Sequence, residues 1–251
     1  MSRTRAFFTM VLGWVLPLSL FAQEQPGNVA LVFSVKPKAG MRQQFETAAK
    51  RHMEWHRQQK DPRTWFVWEV IAGENLGQFG SGTFGHRWKD LDTHAKLAQA
   101  DGADFNANVS QFVESESNGI YLYHPELSRP MADSAPLMEV SEFRLNIGGD
   151  AEFLNALRKV HEAIQKTNWP AYYDIYELFN GGEQPMYVLV FPHKNWADFQ
   201  PLEPSFPAML EKAFGREEAA SIMKAFDKST RSQRSSVVVS RPDLSYLPAA
   251  K

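Results

Sequence analysis

The chain has no cysteine among its 251 residues. That excludes disulfides, thiolate nucleophiles and cysteine-based zinc sites, so any fold it adopts is held by its core. It also lacks runs of like charge. With 27 basic against 29 acidic residues and a net charge of −2, it offers no basic patch to nucleic acid or to an anionic membrane. Beyond the N-terminus no apolar stretch is long enough to cross a bilayer. Aromatic residues, by contrast, are plentiful. They make up 13% of the chain, with 18 Phe and 7 Trp, enough for a well-filled core and an aromatic pocket.

The first 22 residues read as a signal peptide. Arg3 and Arg5 precede an apolar run from Ala6 to Leu20 that is broken only by Thr9, Gly13, Pro17 and Ser19. The run ends at Leu20-Phe21-Ala22, a cleavage site before Gln23. A retained anchor is the competing reading, but the run is short for a span of about 20 residues and carries a helix-breaking proline. Periplasmic or secreted localisation follows, with no membrane contact after cleavage. The remaining chain has 25 basic and 29 acidic residues, a net charge of −4.

That remainder repeats itself. Gly40, Phe45, Ala48, Lys50 and Glu54 answer to Gly148, Phe153, Ala156, Arg158 and Glu162 at an offset of 108. Trp68-Glu69 answers to Tyr176-Glu177 at the same offset, and Phe84-Gly-His86 to Phe191-Pro-His193 at 107. Trp88-Lys-Asp90 answers to Trp196-Ala-Asp198, and His124-Pro-Glu-Leu-Ser128 to Arg241-Pro-Asp-Leu-Ser245 at 117. Matches in one order over this length indicate a duplication. Residues 23–128 form copy one, 129–136 a linker and 137–247 copy two.

Each copy reads strand, helix, strand, strand, helix, strand. Val29–Val35 and Leu137–Leu145 open the copies as β-rich runs. Met41–Gln59 is helical, with Met41, Phe45, Ala48, Ala49, His52, Trp55 and His56 on one stripe; Phe153, Ala156, Leu157, Val160, Ala163 and Ile164 repeat it. Trp65–Ile71 and Tyr172–Phe179 are second strands, and Gly119–Tyr123 and Ser236–Ser240 close the copies. Copy two carries extra helical sequence, Ala208–Phe214 and Arg216–Lys228, before its closing strand.

The order βαββαβ used twice resembles the dimeric α+β barrel superfamily, which includes antibiotic-biosynthesis-monooxygenase-like, haem-degrading and NIPSNAP-like proteins. The resemblance implies an α+β fold of two tandem ferredoxin-like units. Each would have an antiparallel sheet with helices on one face, and the two would pair within the chain as a barrel. The assembly is then a monomeric pseudo-dimer or a homodimer. Members of that superfamily include cofactor-independent oxygenases, haem binders and isomerases, so the fold alone assigns no function.

Where the copies differ, copy one shows what it adds. His52 stands opposite Val160 and His56 opposite Ile164. Two imidazoles one turn apart can bind a metal or haem, or supply a general base, or serve as inert helix-edge partners. Gly80, Gly82 and Gly85 form G-x-G-x-x-G where the offset of 107 places Tyr187, Leu189 and Pro192. These glycines lie inside a strand, which argues against a dinucleotide loop and for a bulge or room for a ligand. The expectation is a cavity between the first helix and the sheet of copy one. His52 and His56 are its candidate catalytic residues, and Trp65, Trp68, Gly80 and Gly82 its candidate walls. His86 and His193 read as equivalent strand-end partners, and His94 and His161 as solvent-facing. No metal site is assigned, and haem is the one cofactor under consideration. The readings that follow are a cofactor-independent monooxygenase-like enzyme on an aromatic compound, a haem or apolar-ligand binder, and a structural protein.

Overall fold

The computed structural model describes residues 26–133 and 135–248, and the N-terminal apolar run lies outside them. The first half contains β1 (Val29–Pro37), α1 (Arg42–Gln58), β2 (Phe66–Ala72), β3 (Phe79–His86), α2 (Trp88–Thr93), α3 (Ala95–Asn108) and β4 (Val113–Tyr123). The second contains β5 (Leu137–Leu145), α4 (Asp150–Thr167), β6 (Asp174–Asn180), β7 (Met186–His193), α5 (Phe206–Phe214), α6 (Arg216–Ser229) and β8 (Thr230–Ser240). The apolar stripe that predicts α1 buries Phe45, Ala48, His52 and His56, and that of α4 buries Phe153, Ala156, Leu157, Ala163 and Ile164.

The strands form one closed antiparallel barrel in the order β1-β3-β2-β8-β5-β7-β6-β4. Each half supplies four neighbouring strands in equivalent order, β4-β1-β3-β2 and β8-β5-β7-β6. The seams are β2 with β8, where Trp68 faces Ser240, and β4 with β6, where Tyr123 faces Tyr176. Closure pairs the outer strand of each half, leaving no exposed edge. β4 and β8 begin earlier than their apolar ends predict. The polar stretches Val113–Asn118 and Thr230–Ser235 pair with β1 and β5 while staying largely exposed, so they carry no hydrophobic signal.

The repeated Pro-acid-Leu-Ser segments cross between the halves. Leu244 enters the core of the first half and Leu127 that of the second. The Val67 N–H donates to Ser245 Oγ at 2.9 Å, and the Ile175 N–H donates to Ser128 Oγ at 3.0 Å. The residue that opens each segment reaches the opposite glutamate: Arg241 is 3.0 Å from Glu69, and His124 is 3.1 Å from Glu177.

Strand pairing corrects the internal alignment at the glycines. Val35 faces Phe79 and Phe143 faces Tyr187, so Phe79 is the counterpart of Tyr187. Gly80 and Gly82 therefore correspond to Val188 and Val190. The offset becomes 107 only after a bulge, where Val29 faces His86 as Leu137 faces His193. Gly85 sits at that irregularity with φ +77°, a conformation that favours glycine. Misplacing the extra residue by a few positions moves the whole strand's side chains to the wrong face.

Candidate functional site

A cavity of about 480 Å³ lies between α1, α3 and the outer face of the sheet in the first half. Alternation along the strands sends Phe33, Trp65, Val67 and Phe79 towards it, and α1 adds Phe45, Ala49 and His52. Its mouth lies between α3 and β4, where the exposed Gly102, Asn106, Glu116 and Asn118 line it. The same space in the second half is filled. There α5 inserts Met209 and Leu210 and α6 inserts Ala219 and Ile222, packed with Phe153, Leu157 and Ile164 from α4. In the first half α3 buries no residue and offers Ala98 and Gly102 to the cavity. The cavity thus arises from small residues on the covering helix.

The structure divides the candidate residues between two faces of the sheet. His52, Trp65 and Gly80 line the cavity, Gly80 along its backbone. Trp68 and Gly82 lie on the barrel side. A Cβ on Gly80 would stand 2.2 Å from the Trp68 indole, and one on Gly82 would stand 2.9 Å from the Phe84 ring and 3.2 Å from Trp68. Phe84 in turn contacts Tyr176 of the second half. The room left by the glycines is therefore occupied by Trp68 inside the barrel and does not open the cavity. His56 is fully buried behind His52 and lies outside the lining.

A cluster of charged side chains closes the inner end. His52 places Nδ1 2.7 Å from Asp104 Oδ2 and Nε2 3.1 Å from Asp101 Oδ1. His56 places Nδ1 2.7 Å from Asp61 Oδ2 and Nε2 3.4 Å from the same Asp101 oxygen. Arg63 donates to both Asp61 oxygens, from Nε to Oδ1 at 2.9 Å and from Nη2 to Oδ2 at 2.8 Å, and its Nη2 lies 3.4 Å from Asp101. The Trp65 indole N–H donates to Asp61 Oδ2 at 3.1 Å, and the Tyr246 hydroxyl donates to the Asp61 carbonyl at 2.9 Å. Burial opposes charge on His52, but its bonds to Asp101 and Asp104 outweigh that and raise its pKa. Burial likewise works against ionised Asp61, yet the donors His56, Arg63 and Trp65 hold it far below the usual carboxylate range.

The cluster limits what the imidazoles can do. His52 has carboxylates at both ring nitrogens, and His56 does not reach the cavity. Neither presents a free nitrogen to a substrate as a general base. Haem does not fit the arrangement either. Both Nε2 atoms, the nitrogens that would have to hold its iron, lie 3.1 and 3.4 Å from Asp101 Oδ1.

The other histidines depart from expectation. His86 and His193 end equivalent strands with different partners: His86 Nε2 lies 2.8 Å from Thr83 Oγ1, whereas His193 stacks on Phe199. Burial, with Arg63 nearby, lowers the His86 pKa. His161 is half-buried, with Nδ1 2.8 Å from the Tyr173 hydroxyl, and His94 is also half-buried.

Sequence reasoning missed Asp61, Arg63, Asp101 and Asp104. A signal existed for the last two. Asp101 and Asp104 are three apart on α3, a spacing that puts both on one helix face, in a helix with no apolar stripe.

No protein-family profile matches the sequence, and no curated protein does. Solved structures do match in fold. A candidate monooxygenase from Lactobacillus acidophilus superposes with a TM-score of 0.54 at 9% identity, covering 90% of this chain and 98% of its own. An anthrone oxidase-like protein gives 0.50 at 10%, covering 90% and 97%. Chlorite dismutase from Candidatus Nitrospira defluvii, in complex with imidazole, gives 0.54 at 10%, covering 86% and 92%. The chain shares the α+β barrel fold of these structures, with both halves of the closed barrel supplied by one chain.

Proposed function

We propose that the protein is exported and binds a small, largely apolar, ring-bearing molecule in the cavity of its first half. The observation that carries this reading is the contrast between the halves: the space under α3 is open, while the equivalent space under α5 and α6 is filled. A volume of about 480 Å³ falls in the range of about 300–1,000 Å³ typical of small-molecule sites. Phe33, Trp65, Phe79 and Phe105 offer ring faces and edges. His52, Arg63 and Asp101 give the inner end a polar terminus that would orient the ligand.

One observation favours turnover over simple binding. Burying Asp61 and Arg63 beside His52 and His56 costs several kcal/mol per ion before pairing offsets it. Apolar binding does not require such a cluster, and perturbed groups beside a pocket concentrate at reactive sites. Similarity in fold to monooxygenase-like proteins supports an oxidative reaction on an aromatic compound.

The test is a titration with naphthol and indole as probes, followed by calorimetry, on the wild type and on Ala49→Phe, which places a ring in the cavity. Wild-type binding abolished in a folded Ala49→Phe protein is the expected result. Equal binding by both would place the ligand elsewhere. Export is tested by sequencing the N-terminus of the protein recovered from outside the cytoplasm. A start at Gln23 is expected, and an intact Met1 would contradict it.

A further inference from the structure

We infer that His52, His56 and Asp101 form a binding site for one divalent transition-metal ion at the inner end of the cavity. This goes beyond the ligand-binding reading and does not depend on it. The ligand atoms that these three residues offer all lie within 4.8 Å of one another. Asp101 Oδ1 is 3.1 Å from His52 Nε2 and 3.4 Å from His56 Nε2. Atoms bound tetrahedrally to one zinc-sized ion at about 2.0–2.1 Å stand about 3.3–3.4 Å apart, so the carboxylate is at the separation that a shared ion demands.

A second observation is independent of those distances. His56 Nε2 is a buried nitrogen on a fully buried side chain, and it has no hydrogen-bond partner among the described residues. Buried polar atoms are almost always satisfied, and an orphan calls for a specific explanation. This one faces Asp101.

The surroundings fit the same assignment. Both imidazoles have Nδ1 on a carboxylate at 2.7 Å, Asp104 for His52 and Asp61 for His56. Such a contact holds the proton on Nδ1 in the neutral ring, so that Nε2 can ligate a metal shared with Asp101 in place of its direct contact with that carboxylate, and raises its basicity as a ligand. Asp61 is itself anchored by Arg63 and by Trp65. With the imidazoles neutral, the carboxylates of Asp61, Asp101 and Asp104 against Arg63 leave an excess of two negative charges, which a divalent cation balances. Two imidazoles and one carboxylate suit zinc or ferrous iron, with the remaining positions open. Because His52 and Asp101 also line the cavity, those open positions face the proposed ligand.

The second half lacks the set, since Val160 and Ile164 take the places of the histidines. One ion per chain is therefore expected.

The test uses the full mature chain, stripped with chelator and titrated with Co2+ and Zn2+. Binding is read by calorimetry and by the visible absorption of bound Co2+. The expected result is one equivalent with a visible band of a nitrogen–oxygen site of low coordination number. Asp101→Asn and His52→Gln should lose the band and the stoichiometric binding. Asp104→Asn, at a residue that supports His52 through Nδ1 without ligating, should weaken binding about 10- to 100-fold while keeping the band. Circular dichroism establishes that each variant is folded, and Asp101, whose side chain keeps 13% exposure against 7% for His52, is the variant safest on that count. Absence of a saturable equivalent in the folded wild type would overturn the assignment. So would unchanged Co2+ binding in Asp101→Asn.

Discussion

Gly80→Val tests the corrected strand register directly. Valine is what the second half carries at the equivalent position, so the substitution would be harmless if the two environments were the same. They are not. A Cβ on Gly80 would lie 2.2 Å from Trp68 Cε2 and Nε1 and 2.6 Å from its Cζ2. The indole cannot recede freely, because it sits inside a closed barrel and also covers Gly82. Overpacking of this kind costs about 1–3 kcal/mol. For a fold of this size each kcal/mol moves Tm by about 2–4 °C, so a fall of roughly 2–12 °C is expected in thermal denaturation followed by circular dichroism. The second half pairs Tyr176 with Val188, so the double change Trp68→Tyr with Gly80→Val recreates a pair the fold already uses. It should be less destabilising than the sum of the single changes, by about 1 kcal/mol or more. Binding of the aromatic probes should survive, since the clash is on the barrel side. A neutral or raised Tm for Gly80→Val alone would refute the placement of Trp68 and reopen the glycines as cavity walls.

Leu244→Ala should cost about 2–5 kcal/mol in chemical denaturation, because this residue near the C-terminus is buried in the core of the first half. Leu127→Ala should do the same for the second half, and a cost under about 0.5 kcal/mol for both would contradict the crossed segments. Arg241 lowers the pKa of Glu46 and holds Asp243 at about 2, chiefly through its hydrogen bonds. The folded state therefore binds fewer protons than the unfolded state at these groups. Their stabilisation is complete above the usual carboxylate range of about 4 and is lost as pH falls towards the folded values. Arg241→Met should be less stable than wild type at pH 7, with the gap closing in acid, and a gap that widens below about pH 4 would invert the sign. Gly102→Ala should raise stability by about 0.5–1 kcal/mol, since a Cβ there meets nothing within 4 Å; a loss measured by denaturation would mean that the glycine is required for a close approach.

Much of the architecture was legible because it is written twice. The stripes of α1 and α4, the Gly40 and Gly148 turns and the two Pro-acid-Leu-Ser segments each had an internal counterpart. His52, which the sequence sets against an aliphatic residue of the second half, lines the cavity under α3. The face of Gly80 was not legible, since the bulge at Gly85 adds a residue that no matching letter reveals. Nor was the cluster around His56. Asp61 and Arg63 sit in the connection after α1, and Asp101 and Asp104 sit on a helix without an apolar stripe. Only the tertiary fold brings them to the imidazoles. The outer halves of β4 and β8 stayed hidden for a related reason, because polar residues pair there through their backbones alone.

Native mass spectrometry of the protein recovered from its own source tests the central claim most directly, since it asks whether the first half holds a molecule. The account predicts a single chain carrying a small adduct that is lost on denaturation and is absent from Ala49→Phe prepared in the same way. A bare wild-type chain, or an adduct retained by Ala49→Phe, would contradict it.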